Sequence, residues 1–290
     1  MDVKESFPAT TQRKKCAKFL RDIVTLIGGY TFFLLLSALF LAIAEYAETC
    51  QSKTIWSMLL SLSIYFIYRK VYKPSPHVTF RTGFLDLAFG FCVGLCNLLL
   101  VVLCLAATGG YKIANISWDY PQVISNLSFF FLVAVSEEVI CRGIILKTIT
   151  QKWSLKAGII ISSVVFGIGH LLNDNATIYS TIILILDGFI FAYAFMFHNT
   201  LWLPIGMHWS WNFYQGTVLG FNVSGNTNLY SIINPIIGGN EIITGGSFGI
   251  EGSIFMLPIS LLFIAFFYHL YKQNKVAVSS FDDGNQSVSL

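Results

Sequence analysis

The sequence predicts an all-α, polytopic integral membrane bundle of about eight transmembrane helices, with both termini cytoplasmic. Three observations carry this reading. The chain has 290 residues and is 55% hydrophobic but only 11% charged, against roughly a quarter charged in soluble domains. Its mean hydropathy of +0.67 implies more apolar surface than a soluble fold of this length buries. Apolar runs long enough to cross a bilayer recur from end to end.

The elements follow in chain order. Spans are predicted at 22–46, 54–69, 84–107, 122–146, 155–172, 177–197, 201–220 and 253–271. The second is short, and the seventh is interrupted by Pro204 and Gly206. A cytoplasmic segment (1–21) precedes a transmembrane domain (22–272), and a polar, flexible cytoplasmic tail (273–290) follows it. The outer stretch from Asn222 to Gly252 is rich in Gly, Asn and Ser and reads as loosely ordered.

Positive charge tests this order independently, because Lys and Arg collect in cytoplasmic loops. Lys4, Arg13, Lys14, Lys15, Lys18 and Arg21 precede the first span. Arg69, Lys70, Lys73 and Arg81 follow the second, Lys147, Lys152 and Lys156 the fourth, and Lys272 and Lys275 the eighth. The loops assigned to the outside carry only Lys53 and Lys112. The first span is not a cleaved signal peptide, since its apolar run is too long and Glu45 to Glu48 offers no cleavage site.

The same numbers exclude other classes. A net charge of +3 with dispersed basic residues argues against a nucleic-acid partner. Six cysteines (Cys16, Cys50, Cys92, Cys96, Cys104 and Cys141) form neither a disulfide framework nor a zinc spacing. The bilayer itself is the first partner.

Polar residues inside the predicted spans carry the chemistry. Glu137, Glu138, Arg142, His170, Asp187, His208 and Asn212 all stand there. One ionised side chain at mid-bilayer costs about 2.5–3.5 kcal/mol, so such charges must pair, neutralise or line a wet cavity. Glu138 and Arg142 are four apart with the acid first, the favourable order for a helical ion pair. Glu137 lies about 100° around the helix and shares its stripe with Cys141, so it is the uncompensated carboxylate. Read alone, both glutamates also fit a helix end near Lys147. Read alone, His170 after Phe166 fits helix packing, and His208 with Asn212 fits interhelical hydrogen bonding. Asp187 reads as structural or cavity-lining, its partner to be sought across the bundle, while Asp86, His198 and His269 read as hydrated residues near the interfaces.

Together these residues supply one free carboxylate, two imidazoles and a carboxamide on three helices. That inventory activates water against an amide: a base, a histidine to hold the water, and donors for the oxyanion. It also suits zinc, which takes three or four such ligands and an open position, although no HExxH motif is present.

Glu137 to Arg142 reads EExxxR, Phe166 to His170 reads FxxxH, and His208 to Asn212 reads HxxxN. In that order, over about 122–217, the chain resembles the CPBP family of CAAX proteases and bacteriocin-processing enzymes. The resemblance implies an intramembrane endopeptidase. Glu137 is then the base for the hydrolytic water, His170 its partner, and His208 with Asn212 the oxyanion donors, with Glu138 and Arg142 in support. If the enzyme is a zinc metalloprotease, Glu137, His170 and His208 are the ligands; the metal-free glutamate mechanism is the preferred version. The implied partner is a peptide or membrane-protein substrate, and the implied location is a bacterial plasma membrane, crossed many times. Roles in bacteriocin immunity or peptide processing fall within the same resemblance. The rival reading is a non-enzymatic immunity or scaffold protein that binds a peptide or receptor. A transporter is disfavoured because the two halves show no repeat.

Overall fold

A computed structural model describes residues 80–227 and 230–286, with side chains described from 82 to 274 within that range. The expected spans 22–46 and 54–69 and the segment 1–21 lie outside the described residues. Helix α1 (Phe80–Ala107) leads into strand β1 (Tyr111–Ile116) and then α2 (Tyr120–Glu138). Asp119 caps α2 by accepting from the Gln122 N–H, and Pro121 occupies the first turn, where no amide donor is needed. At Val139 the rod changes to a π-helical segment (Val139–Leu146) and then continues as α3 (Lys147–Lys152).

Ser154 caps α4 (Leu155–Gly169), which ends in a tight 3₁₀ turn, His170–Leu172. Helix α5 (Ile178–His198) opens with a reciprocal Thr177–Ser180 capping box. It closes on Asn199 in the left-handed conformation at φ 53°. Helix α6 (Trp202–Asn212) also passes into a π segment, Phe213–Val218. Strand β2 (Ile233–Ile237), the short helix α7 (Glu241–Thr244) and the long helix α8 (Met256–Gln286) complete the chain. Helix α8 carries on through 273–286, the first part of the segment expected as a flexible tail.

Three stretches, Thr82–Ala107, Leu155–Leu172 and Ile178–His198, are long and apolar enough to cross a membrane. The protein is therefore a mostly helical membrane protein. Phe84, Leu85, Phe89, Leu99, Leu100 and Leu103 on α1 stay exposed, as a lipid-facing stripe requires. The opposite face of α1 meets α6 at backbone distance. A Cβ on Gly90 would strike the Leu203 carbonyl, one on Gly94 the Met207 carbonyl, and one on Gly206 the Leu87 carbonyl. Small residues let helices approach this closely, which lipid cannot otherwise drive.

Two expectations are corrected. The fold is not purely α, because β1 and β2 pair antiparallel from Tyr111↔Ile237 to Ile116↔Ile233, with a bulge between Ile113 and Asn115. Short, isoleucine-rich strands in connecting loops carry too weak a pattern to stand out beside long apolar helices. The stretch from Asn222 to Gly252 is built, not loose. It contains β2, α7 and the 3₁₀ turns Gly246–Phe248 and Ile250–Gly252, and it buries Phe248, Ile250 and Glu251. Its glycines mark turns: Gly249 has φ 120°, and a Cβ there would collide with the Asn222 carbonyl. This cap packs Phe221, Ile250 and Met256 onto Leu98, Leu105 and Ile183 of α1 and α5.

Candidate active site

The two glutamates that end α2 meet different surroundings. Glu138 is fully buried, and its Oε1 accepts from Arg142 Nη1 at 2.8 Å. Arg142, also fully buried, uses Nη2 to donate to the Gly188 carbonyl of α5 at 2.9 Å. Its guanidinium lies over the rings of Phe166 (4.7 Å) and Phe191 (5.1 Å). A glycine at 188 serves this arrangement, because a Cβ there would press on the Ser163 backbone at 2.8 Å and separate α4 from α5.

His208 hangs from the same clamp. Its Nδ1 lies 3.2 Å from Glu138 Oε1, and its ring stacks on Phe191 with centroids 5.2 Å apart and planes at 15°. Glu138 Oε1 therefore holds the arginine and the histidine at once. The His208 Nε2 points the other way, 3.9 Å from Glu137 Oε2. His170 reaches the same oxygen from the end of α4, with Nε2 at 3.8 Å. Its Nδ1 is fixed 2.8 Å from the Phe166 carbonyl one turn back.

The tautomers follow from these partners. A backbone carbonyl and a carboxylate only accept, so the proton of each neutral ring sits on Nδ1 and each Nε2 presents a lone pair. Glu137 Oε2 faces both lone pairs. It is buried, yet among the described residues it has no hydrogen-bond partner, although the Glu137 side chain as a whole is 33% exposed. The space beside this oxygen suits a water molecule, which brings protons to a set of acceptors that lacks them.

The structure thus brings Glu137, His170 and His208 together, with Glu138 and Arg142 behind His208. Asn212 is buried one turn after His208, and no hydrogen bond ties its carboxamide among the described residues. Two of the three motif-bearing helices, α2 and α6, pass into π segments directly after Glu138 and Asn212, at Val139 and Phe213. π segments of this kind recur at functional sites because they turn side chains out of the α-helical register. Asp187 accepts from Ser260 of α8 at 2.9 Å, a pairing across the bundle. Asp86 is buried rather than hydrated, accepting from Thr200 Oγ1 and pairing with His198 Nδ1, both at 2.7 Å, while His198 itself stays exposed as expected. His269 does face outward, against Gln273 at 2.8 Å.

Glu137, His170 and His208 are the donors that zinc would need. Each histidine reaches Glu137, but among the described residues no group of three or more His, Cys, Asp or Glu side chains is placed to hold a metal ion. No step below is routed through one.

One polar residue escaped the sequence reading. Glu251 of the cap is buried, with Oε1 accepting from the Ser224 N–H (3.1 Å) and hydroxyl (3.0 Å) and Oε2 from Gln215 Nε2 (2.5 Å). It lies beyond the apolar runs in which charged residues attract notice, and a glycine-rich loop hides it.

Residues 119–214 match the family described as Type II CAAX prenyl endopeptidase Rce1-like. No curated protein and no solved structure matches the chain.

Proposed function

Taking the segment 119–214 as a protease domain of the CPBP type, we propose that the protein is an intramembrane endopeptidase in which Glu137 activates the hydrolytic water. The observation that carries this reading is the buried, unpartnered Glu137 Oε2 set 3.8 and 3.9 Å from two imidazole Nε2 atoms. Water held there donates one proton toward Glu137 and the other toward His170. Its oxygen attacks the scissile carbonyl carbon while Glu137 takes the proton. As the tetrahedral intermediate collapses, the C–N bond breaks and Glu137 returns that proton to the leaving amine.

The developing oxyanion needs donors, and Asn212 supplies its amide N–H. His208 donates through Nε2 only when it carries a second proton, because its first is committed to Glu138. Glu138 orients His208 through its bond to Nδ1, as a buried carboxylate orients a catalytic imidazole. Arg142 holds Glu138 in place for this work through its 2.8 Å bond.

The substrate is a peptide or membrane protein cut within or just inside the bilayer of a plasma membrane crossed by eight helices. Cysteine-accessibility labelling near Lys53, Lys73, Lys112, Lys152 and Lys275 should alternate out, in, out, in, in; an external Lys73 loop would overturn the eight-span topology. Activity is tested on purified full-length protein in detergent, with a quenched-fluorescent farnesylated CAAX peptide and its unprenylated counterpart as probes. Glu137→Gln should lower kcat by about 10²–10⁴ while the protein melts as wild type does. Undiminished cleavage in a folded Glu137→Gln protein removes the proposed base. Loss of activity on chelation, restored by zinc, removes the metal-free mechanism.

A further inference from the structure

Glu251 stands where two arms meet, and each arm ends at a different histidine. The first arm runs through Ser224, whose N–H and hydroxyl both donate to Glu251 Oε1. The Ser224 carbonyl in turn accepts from Asn173 Nδ2 at 2.8 Å. The Asn173 N–H then donates to the His170 carbonyl at 3.1 Å, closing the 3₁₀ turn that begins with that histidine. The loops fit closely here, since Gly225 packs against the Asp174 backbone with no room for a Cβ.

The second arm runs through Gln215, in the π segment that follows Asn212. Gln215 Nε2 donates to Glu251 Oε2 at 2.5 Å and to the Asn222 carbonyl at 2.6 Å. Two acceptors flank that atom, so it must be the amide nitrogen. Beyond it the helix leads back through Asn212 to His208. Glu251 and Gln215 are both fully or almost fully buried, and no water competes for these bonds.

We infer that Glu251 is a positioning residue: it fixes the turn carrying His170 against the helix carrying His208 and Asn212, and so sets the gap in which Glu137 works. The inference rests on the peptidase reading for its kinetic consequence but not for its geometry. His170 sits at a helix end, held within its own helix by Phe166 and beyond it by the loop that follows. His208 sits on a helix that passes into a π segment at Phe213. Neither element is held to the other by the Glu138–Arg142 clamp alone, because that clamp touches His208 and not His170. Phe166 touches both rings, with centroids 5.1 Å from His170 and 5.8 Å from His208, and Glu251 adds a hydrogen-bonded tie through neutral donors 36 and 27 residues before it.

The test uses full-length protein in detergent and two readouts. One is turnover of the quenched peptide; the other, independent of cleavage, is diethylpyrocarbonate modification of His170 and His208 followed by mass spectrometry. Glu251→Gln leaves one acceptor oxygen where two are used and so breaks one arm, while Glu251→Ala breaks both. Each should lower kcat about tenfold or more with KM within twofold, and Glu251→Ala should raise modification of both histidines at least threefold. Asn173→Ala, on the exposed side of the first arm, should raise modification of His170 alone. Unchanged histidine modification in folded Glu251→Gln or Asn173→Ala protein overturns the inference. If both Glu251 variants fail to fold, the Asn173→Ala result decides. A wild-type protein that cleaves neither peptide, yet shows these modification changes, keeps the tie and removes the peptidase reading.

Discussion

Glu138 and Glu251 are both buried carboxylates, yet they are compensated in opposite ways. Glu138 lies in the helical core and meets a full positive charge, Arg142, one turn along its own helix. Glu251 lies in the cap and meets only neutral donors, Ser224 and Gln215, 27 and 36 residues away in sequence. The surroundings explain the choice. Among helices with no water nearby, a helix can offer only its own side chains and those of packed neighbours, because its backbone donors are already used. In the cap, turns leave backbone N–H groups free, and one of them, from Ser224, serves the carboxylate directly. In the core a cation partners Glu138 directly. Neutral donors do not fully offset burial, which pushes the Glu251 carboxyl up to about 7.

The contrast is open to measurement. The largest effect should come from Glu138→Gln, which leaves Arg142 without its anion; breaking a buried pair costs about 3–5 kcal/mol, read as a lowered denaturation midpoint in detergent. If Glu251→Gln destabilises as much at neutral pH, the distinction between charged and neutral compensation fails. Asn212→Ala should come next in size but in a different quantity: kcat down about 10²–10³ with little change in stability, since nothing in the described fold hangs from that carboxamide. A stability loss comparable to that of Glu138→Gln would make Asn212 part of the scaffold.

The third test concerns pH. Glu251 has its folded pKa raised from the ordinary 4.5 to about 7, so the fold binds more protons than the unfolded chain between those values. The stability this supplies is full below about 4.5 and is lost as pH rises through 7, about 3 kcal/mol at most. Glu251→Gln removes this slope, so the variant should gain on wild type across that window. Asp187, the acidic group that interacts with Glu251, is present in both proteins and does not enter the difference. A parallel pair of stability curves would show that Glu251 titrates as an ordinary carboxyl. The smallest effect, about 1 kcal/mol, is expected for Ser260→Ala, which removes one hydrogen bond to Asp187 and touches neither clamp. A larger loss would extend the core network to α8.

What the sequence reveals follows the same division. Glu138 and Arg142 are readable as a pair because four residues make one helical turn, and α1, α4 and α5 are readable because their apolar runs match bilayer thickness. The approach of His170 and His208 to Glu137 is not a matter of spacing; motif order groups them, and only packing sets the distances. The π segment after Glu138 is invisible to a wheel drawn at 100° per residue, so the stripe joining Glu137 to Cys141 does not describe the site. Asp86 and His198 look like interfacial residues because no local pattern announces a partner 112 positions away. The cap does not announce its order, because glycine, asparagine and serine signal both loose chain and tightly turned chain, and composition does not separate the two.

The close contact between α1 and α6 bears on how this domain can be moved between proteins. The family match begins at 119, but the helix carrying His208 rests on Gly90 and Gly94, which precede it. A chimaera that grafts 119–214 into another chain inherits the motifs without the groove that seats them. A host with alanine or anything larger at those two places would push the backbone of α6 outward at Leu203 and Met207, next to His208. The unit that can be exchanged is therefore longer than the unit that can be recognised, and a working graft has to start before Gly90.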